Sequence, residues 1–154
     1  MESIIGSNWK FRHVALVVQD MDKAVKQYES ILGNVFRPET LMDSSEFAEY
    51  KVYGKTPASV HKSRFRHSDI GLDKLDLEFI SPIEGDPIYK DFLKKQGEGL
   101  HHIAFGVDDL DYEVARLTAR SIPVITSVKR PTGLGFAYFD FGDCIIELIG
   151  PVKV

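Results

Sequence analysis

The sequence predicts an α+β fold built twice from one strand–helix–strands unit, and three observations carry this. HHIAFGVDDLDYEV (His101–Val114) repeats RHVALVVQDMDKAV (Arg12–Val25). At an offset of 89 residues, His13/His102, Ala15/Ala104, Val18/Val107, Asp20/Asp109, Asp22/Asp111 and Val25/Val114 are identical. The unit ends match as well. LDLEFISP (Leu75–Pro82) and CIIELIGP (Cys144–Pro151) each place a Glu in an apolar strand, four residues before a Pro. Neither copy is large enough to close a core alone, so the two must pair. The boundary falls near Gly97–Leu100, giving a first module at residues 10–97 and a second at 98–151 within one domain of residues 1–154.

Each element has its own signal. FRHVALVV (Phe11–Val18) is a short apolar, β-branched run that reads as a buried strand, with His13, Ala15 and Val17 on one face. Asp20 is an N-cap, and Met21, Ala24/Val25, Tyr28 and Ile31/Leu32 recur at helical spacing up to Gly33. The spacing predicts a helix over 21–32. Asn34–Leu41 and Phe47–Tyr53 have strand composition, with a polar stretch at Asp43–Glu46 between them and a loop at Gly54–Ser59. Ser63–Ile70 reads as a strand of unusual content, carrying Arg64, Arg66 and His67. Leu75–Ile80 alternates and is expected to end at Ser81-Pro82. Pro87–Lys95 is a short amphipathic helix broken at Gly97. The second copy then opens with a strand and an Asp109-capped helix, and closes with strands on either side of the PTGLG loop at Pro131–Gly135.

Composition narrows the function. The chain has 154 residues, enough for a core without disulfides. A formal charge of −4 argues against nucleic acid and anionic membranes as partners. No apolar run approaches the roughly 20 residues of a membrane span, and the N-terminus lacks the pattern of a secretory signal. The single Cys144 excludes a multi-cysteine metal site and fits a reducing, cytoplasmic setting.

The repeat nominates His13, Glu78, His102 and Glu147. Each is polar inside an apolar strand, and a buried carboxylate without a partner is costly. Two imidazoles and two carboxylates at matched positions of a duplicated unit are explained together by one divalent cation. The nitrogen/oxygen set suits Co, Ni, Zn, Mn or Fe. Taken singly, each histidine reads more readily as a hydrogen-bonded core residue and each glutamate as a solvent-facing one. His101 has the opposite strand parity to His102 and is expected to point away from the ion.

These residues resemble the vicinal oxygen chelate superfamily, the paired βαβββ proteins that include glyoxalase I, methylmalonyl-CoA epimerase, extradiol dioxygenases and bleomycin-resistance proteins. The likeness spans about residues 10–151. It is strongest to the epimerase branch through Ser81–Ile88, Phe92-Leu93 and Gly97–Ala104. The resemblance implies two paired βαβββ modules forming a half-open, barrel-like mixed sheet around a metal site, with His13, Glu78, His102 and Glu147 as ligands. Epimerases of this branch often carry Gln in place of Glu78; the His/Glu/His/Glu set is more similar to metal-dependent glyoxalase I. The second base that some epimerases draw from a strand of the first module has no Glu counterpart in Ser63–Ile70.

The implied activity is a metal-dependent epimerase or racemase acting at the carbon next to a carbonyl. The alternatives are a glyoxalase I-type lactoylglutathione lyase and a non-catalytic small-molecule-binding relative. Glu147 is the expected base as well as a ligand, and His67 the expected proton donor on the opposite face. The other reading of His67 is a solvent-facing strand residue. Arg64, Arg66 and Tyr138 are expected to bind substrate, and Lys129-Arg130 offers a similar basic spot. The cofactor would be one divalent ion, of Co, Ni, Zn or Mn. The substrate would be a small carbonyl compound such as an acyl-CoA, and the chain is expected to form a homodimer by resemblance alone.

Overall fold

The computed structural model describes residues 8–70 and 75–153. Along the described chain run β1 (Lys10–Val17), α1 (Met21–Leu32), β2 (Val35–Phe36), β3 (Thr40–Asp43), β4 (Glu49–Val52) and β5 (Lys62–Ile70). They continue as β6 (Leu77–Glu84), α2 (Pro87–Gln96), β7 (Gly99–Gly106), α3 (Leu110–Thr118), β8 (Val124–Lys129), β9 (Leu134–Asp140) and β10 (Ile145–Pro151).

The chain forms two compact units whose borders cut through β1 and β7. Of the described residues, the first contains 13–45, 59–70 and 75–102, the second 8–12, 46–58 and 103–153. Residues 46–58, which carry β4, thus belong to the unit made mainly of the second half of the sequence.

In the first unit the strand order is β2-β5-β6-β1-β7, with β3 also paired to β5. β1 and β6 are parallel, whereas β5 runs antiparallel to β6, so the sheet is mixed. Helix α1 covers one face. Asp20 accepts a hydrogen bond from the Lys23 amide at its start, and Gly33 ends it in the left-handed region at φ 66°. Its apolar side places Met21 and Val25 against Phe36 and Phe79. Helix α2 begins at Pro87, capped by the buried Asp86, whose carboxylate accepts from the Ile88 and Tyr89 amides and from Ser63 Oγ. β6 runs four residues past its expected end, through Ser81-Pro82. Pro82 falls beside the register irregularity at Lys62/Ser63, where a missing amide donor is tolerated.

In the second unit the order is β7-β10-β9-β8-β4. Helix α3 repeats α1: Asp109 caps it by accepting from the Tyr112 amide. Leu110 and Leu117 pack on Ala137, Phe139 and Leu148. Gly150 lies so close to Val107 that a Cβ there would collide with its backbone carbonyl. No helix among the described residues is long and apolar enough to cross a membrane.

Candidate metal centre

The first unit gathers a buried polar cluster on the face of its sheet opposite α1. The parallel register sets Ala15 beside Glu78, so His13, two residues earlier on β1, shares that face. In the antiparallel β5/β6 ladder His67 lies directly opposite Glu78. His102 enters from β7. The strands therefore aim three imidazoles and a carboxylate at one region, and Asp76, two residues before Glu78, joins its rim.

The distances define a nearly equilateral triangle. His13 Nε2 lies 3.3 Å from Glu78 Oε2, His102 Nε2 lies 3.6 Å from the same oxygen, and the two nitrogens are 3.4 Å apart. A cation held about 2.1 Å from each donor needs donors roughly 3.0–3.4 Å apart, so the triangle fits a first-row divalent ion with slight contraction. All three residues are buried. The ligand atoms of His13, His67 and Asp76 also lie within 4.8 Å of one another.

The other Glu78 oxygen faces His67. His67 Nε2 is 3.1 Å from Glu78 Oε1, and its Nδ1 is 3.3 Å from Asp76 Oδ1. Burial alone would lower the His67 pKa, but its hydrogen bonds to Asp76 and Glu78 outweigh that and push it up to about 9. Burial likewise opposes the charge on Glu78. The imidazoles of His13 and His67 reverse the effect and hold the carboxyl below its ordinary range. His101 packs beneath α2, edge-on to Tyr89 and Phe92, on the other side of β7 from Glu78. Its Nδ1 is 2.9 Å from His102 Nδ1, which leaves His102 Nε2 toward Glu78. Burial, then the neighbouring His102, lowers the His101 pKa to about 3.

Arg64 and Arg66 are the substrate contacts expected on β5. They alternate with His67 along β5 and sit opposite Ser81 and Phe79, on the α1 face of the sheet. Arg64 pairs at the surface with Glu39 and Asp22, at 2.6 and 3.4 Å, and Arg66 reaches the Phe36 carbonyl. Neither reaches the cluster. Asp76 is the member that sequence reasoning missed. The alternation of Asp76 and Glu78 against Leu75, Leu77 and Phe79 was the signal that could have found it.

In the second unit, Glu147 of β10 lies directly opposite Tyr138 of β9. Both are buried, and both are on the face away from α3. Phe136 shares that face, and its ring is 5.6 Å from Tyr138. Cys144 is half-buried and free, and burial raises its pKa.

Residues 12–139 match the Glyoxalase/Bleomycin resistance protein/Dioxygenase superfamily, and the chain belongs to that superfamily. Among its relatives, an ethylmalonyl-CoA/methylmalonyl-CoA epimerase of Cereibacter sphaeroides is 28% identical over 148 residues, covering 90% of this chain and 96% of the relative. A mitochondrial methylmalonyl-CoA epimerase of Dictyostelium discoideum is 26% identical over 75% of this chain and 60% of its own length. A lactoylglutathione lyase of Schizosaccharomyces pombe is 23% identical over 75% of this chain, which spans only 38% of that protein. The crystal structure of methylmalonyl-CoA epimerase from Mycobacterium tuberculosis shares the fold, with a TM-score of 0.69 at 19% identity. That match covers 97% of this chain and 93% of the other.

Proposed function

We propose that this protein is a metal-dependent epimerase or racemase that moves a proton at the carbon next to the carbonyl of an acyl thioester. The observation that carries the reading is the convergence of His13 Nε2, His102 Nε2 and Glu78 Oε2, with His67 beside them. The epimerase names of the relatives support the same chemistry.

In this reading His13, Glu78, His102 and Glu147 hold one divalent ion of the Co, Ni, Zn or Mn type. Glu147 is the member contributed by the repeat, the counterpart of Glu78 on the closing strand of the second copy. When bound, the ion supplies Lewis acidity that lowers the cost of deprotonating a carbon next to a carbonyl. The protein's own groups move the proton. The Glu147 carboxylate takes it from one face of that carbon. His67, hydrogen-bonded to Asp76 and Glu78, returns one to the other face from its protonated form. Asp76 then re-orients the neutral imidazole through Nδ1 while it is reprotonated. The buried Tyr138, opposite Glu147, presents a phenol that can donate to a substrate oxygen.

The test is to incubate one enantiomer of a methylmalonyl thioester with metal-loaded protein in D₂O. Deuterium uptake at the α-carbon with loss of optical activity is the expected result, and its absence after chelation supports the metal requirement. No uptake with any divalent ion overturns the assignment for this substrate.

A second reading, a glyoxalase I-type lyase, is favoured by one observation: the two carboxylates and two histidines of the donor set, with Glu at position 78. It predicts thioester formation from the hemithioacetal of glutathione and methylglyoxal, and the same metal-loaded sample decides between the two.

A further inference from the structure

On the sheet face that carries Glu147 and Tyr138, the second unit holds an aromatic row with an unpaired arginine at its end. Phe136 follows Tyr138 on the same side of β9, a step of about 7 Å along the strand. Tyr50 and Phe136 both lie opposite Val128 of β8, from its two sides, so they share that face. Phe47 closes the row, with its ring 5.7 Å from Tyr50 and 6.4 Å from Phe136. The Arg130 guanidinium lies over this wall, 5.9 Å from both the Phe47 and the Phe136 rings. Its backbone is fixed at the mouth of the PTGLG turn: the Arg130 amide donates to Leu134, and its carbonyl accepts from Gly133.

Arg130 differs from the paired cations around it: among the described residues it has no counter-ion. Lys129, its neighbour on the opposite sheet face, pairs with Asp111 at 3.0 Å. Arg116 pairs with Glu113, and Arg64 with Glu39 and Asp22. The Arg130 guanidinium has no carboxylate or carbonyl partner among the described residues. The rings lie against the guanidinium and take none of its donors, which among the described residues have no acceptor, an arrangement suited to two oxygens of a carboxylate or phosphate.

We infer that Arg130, on its aromatic wall of Phe47, Tyr50 and Phe136, is an anion-reading subsite. It fixes substrates that bear a carboxylate or phosphate oxyanion one or two strand steps from the carbonyl presented to Glu147 and Tyr138. This rests on the thioester reading above for the identity of the reacting group, and it adds which part of the substrate is recognised, and by what.

The experiment is calorimetric titration, which needs no turnover. The ligands are malonyl and propionyl thioesters of N-acetylcysteamine, which lack phosphate, and of coenzyme A, which carries it. The proteins are wild type, Arg130→Gln, Arg130→Lys and Lys129→Gln, each first checked for an unchanged thermal midpoint. Arg130→Gln should weaken the anionic ligands about 10- to 100-fold, the range of a charge-assisted hydrogen-bond pair. Lys129→Gln should change them less than about twofold, because it lies on the other face and is already paired. Arg130→Lys should recover only part of the loss, since it keeps the charge without the fork. A loss confined to malonyl over propionyl N-acetylcysteamine thioesters identifies a carboxylate. A loss seen only with both coenzyme A thioesters identifies phosphate. Equal effects of Arg130→Gln and Lys129→Gln, equal effects on every ligand regardless of charge, or no binding of any thioester by the wild type overturn the inference. Should binding behave as expected while no α-proton exchanges in D₂O, the epimerase reading fails and the subsite stands.

Discussion

Replacing Glu78 by Gln keeps the side chain's shape and removes the charge that three imidazoles face. The consequence for His67 can be worked from the structure. Its pKa stands at about 9 against an ordinary 6.5. That difference corresponds to roughly 3 kcal/mol of preference for the imidazolium. It is the net of burial, which opposes the charge, and of hydrogen bonds and attraction from Asp76 and Glu78, which favour it. Asp76 makes the largest favourable contribution and Glu78 the next, through a hydrogen bond and then through its buried charge. Loss of its charge should lower the His67 pKa by about one unit or more, a cost of roughly 1–2 kcal/mol. The assay is a histidine NMR titration of chelator-treated protein. The folded-state pKa of His67 is raised, so its stabilisation is complete below pH 6.5 and is lost as pH rises toward 9. Wild-type urea stability should therefore fall between pH 6.5 and 9, and that fall should be smaller in Glu78→Gln. A His67 resonance still titrating near 9 in the variant would refute the ion-pair reading, because Asp76 alone would then account for the shift.

Two further outcomes follow from burial. Leu117 is fully buried between α3 and the strands that carry Ala137, Phe139 and Leu148, so Leu117→Ala should cost about 2–5 kcal/mol in urea unfolding. A cost under about 1 kcal/mol would mean that α3 is not anchored there. His61 is also buried, and burial lowers its pKa, only partly offset by Asp86. The folded form then holds its proton less well than the unfolded chain, so the His61 contribution is complete above pH 6.5 and fades below it. The stability difference between wild type and His61→Gln should shrink or reverse on going from pH 7 to 5, as read from urea midpoints at each pH. A pH-independent difference would refute it.

What was legible in the sequence was what is local. Asp20, the periodic apolar residues and Gly33 bracket α1 within one stretch of chain, and the structure places the helix at Met21–Leu32 as expected. The duplicated His and Glu positions were visible because each copy carries its own short strand signature. Pairing was not legible, because a strand's partner and register depend on residues far away in sequence. The exchange of β4 onto β8, and the position of His67 opposite Glu78, are set by ladders that no single segment encodes.

Arg64 and Arg66 show the cost of that gap. Composition marked Ser63–Ile70 as functional, but a strand has two faces, and alternation alone cannot say which one meets the site. Once His67 is fixed opposite Glu78, the two arginines must lie on the other face, where acidic side chains neutralise Arg64. The same test applied to β8 separates Lys129, paired with Asp111, from Arg130, whose face is that of Tyr138 and Glu147. A basic residue near a site therefore gains meaning from two facts together, the face its register gives it and whether a carboxylate already holds it. By both facts Arg130, which follows β8 and lies on the face of Tyr138, is a cation left without a carboxylate among the described residues and aimed at the side that carries Glu147.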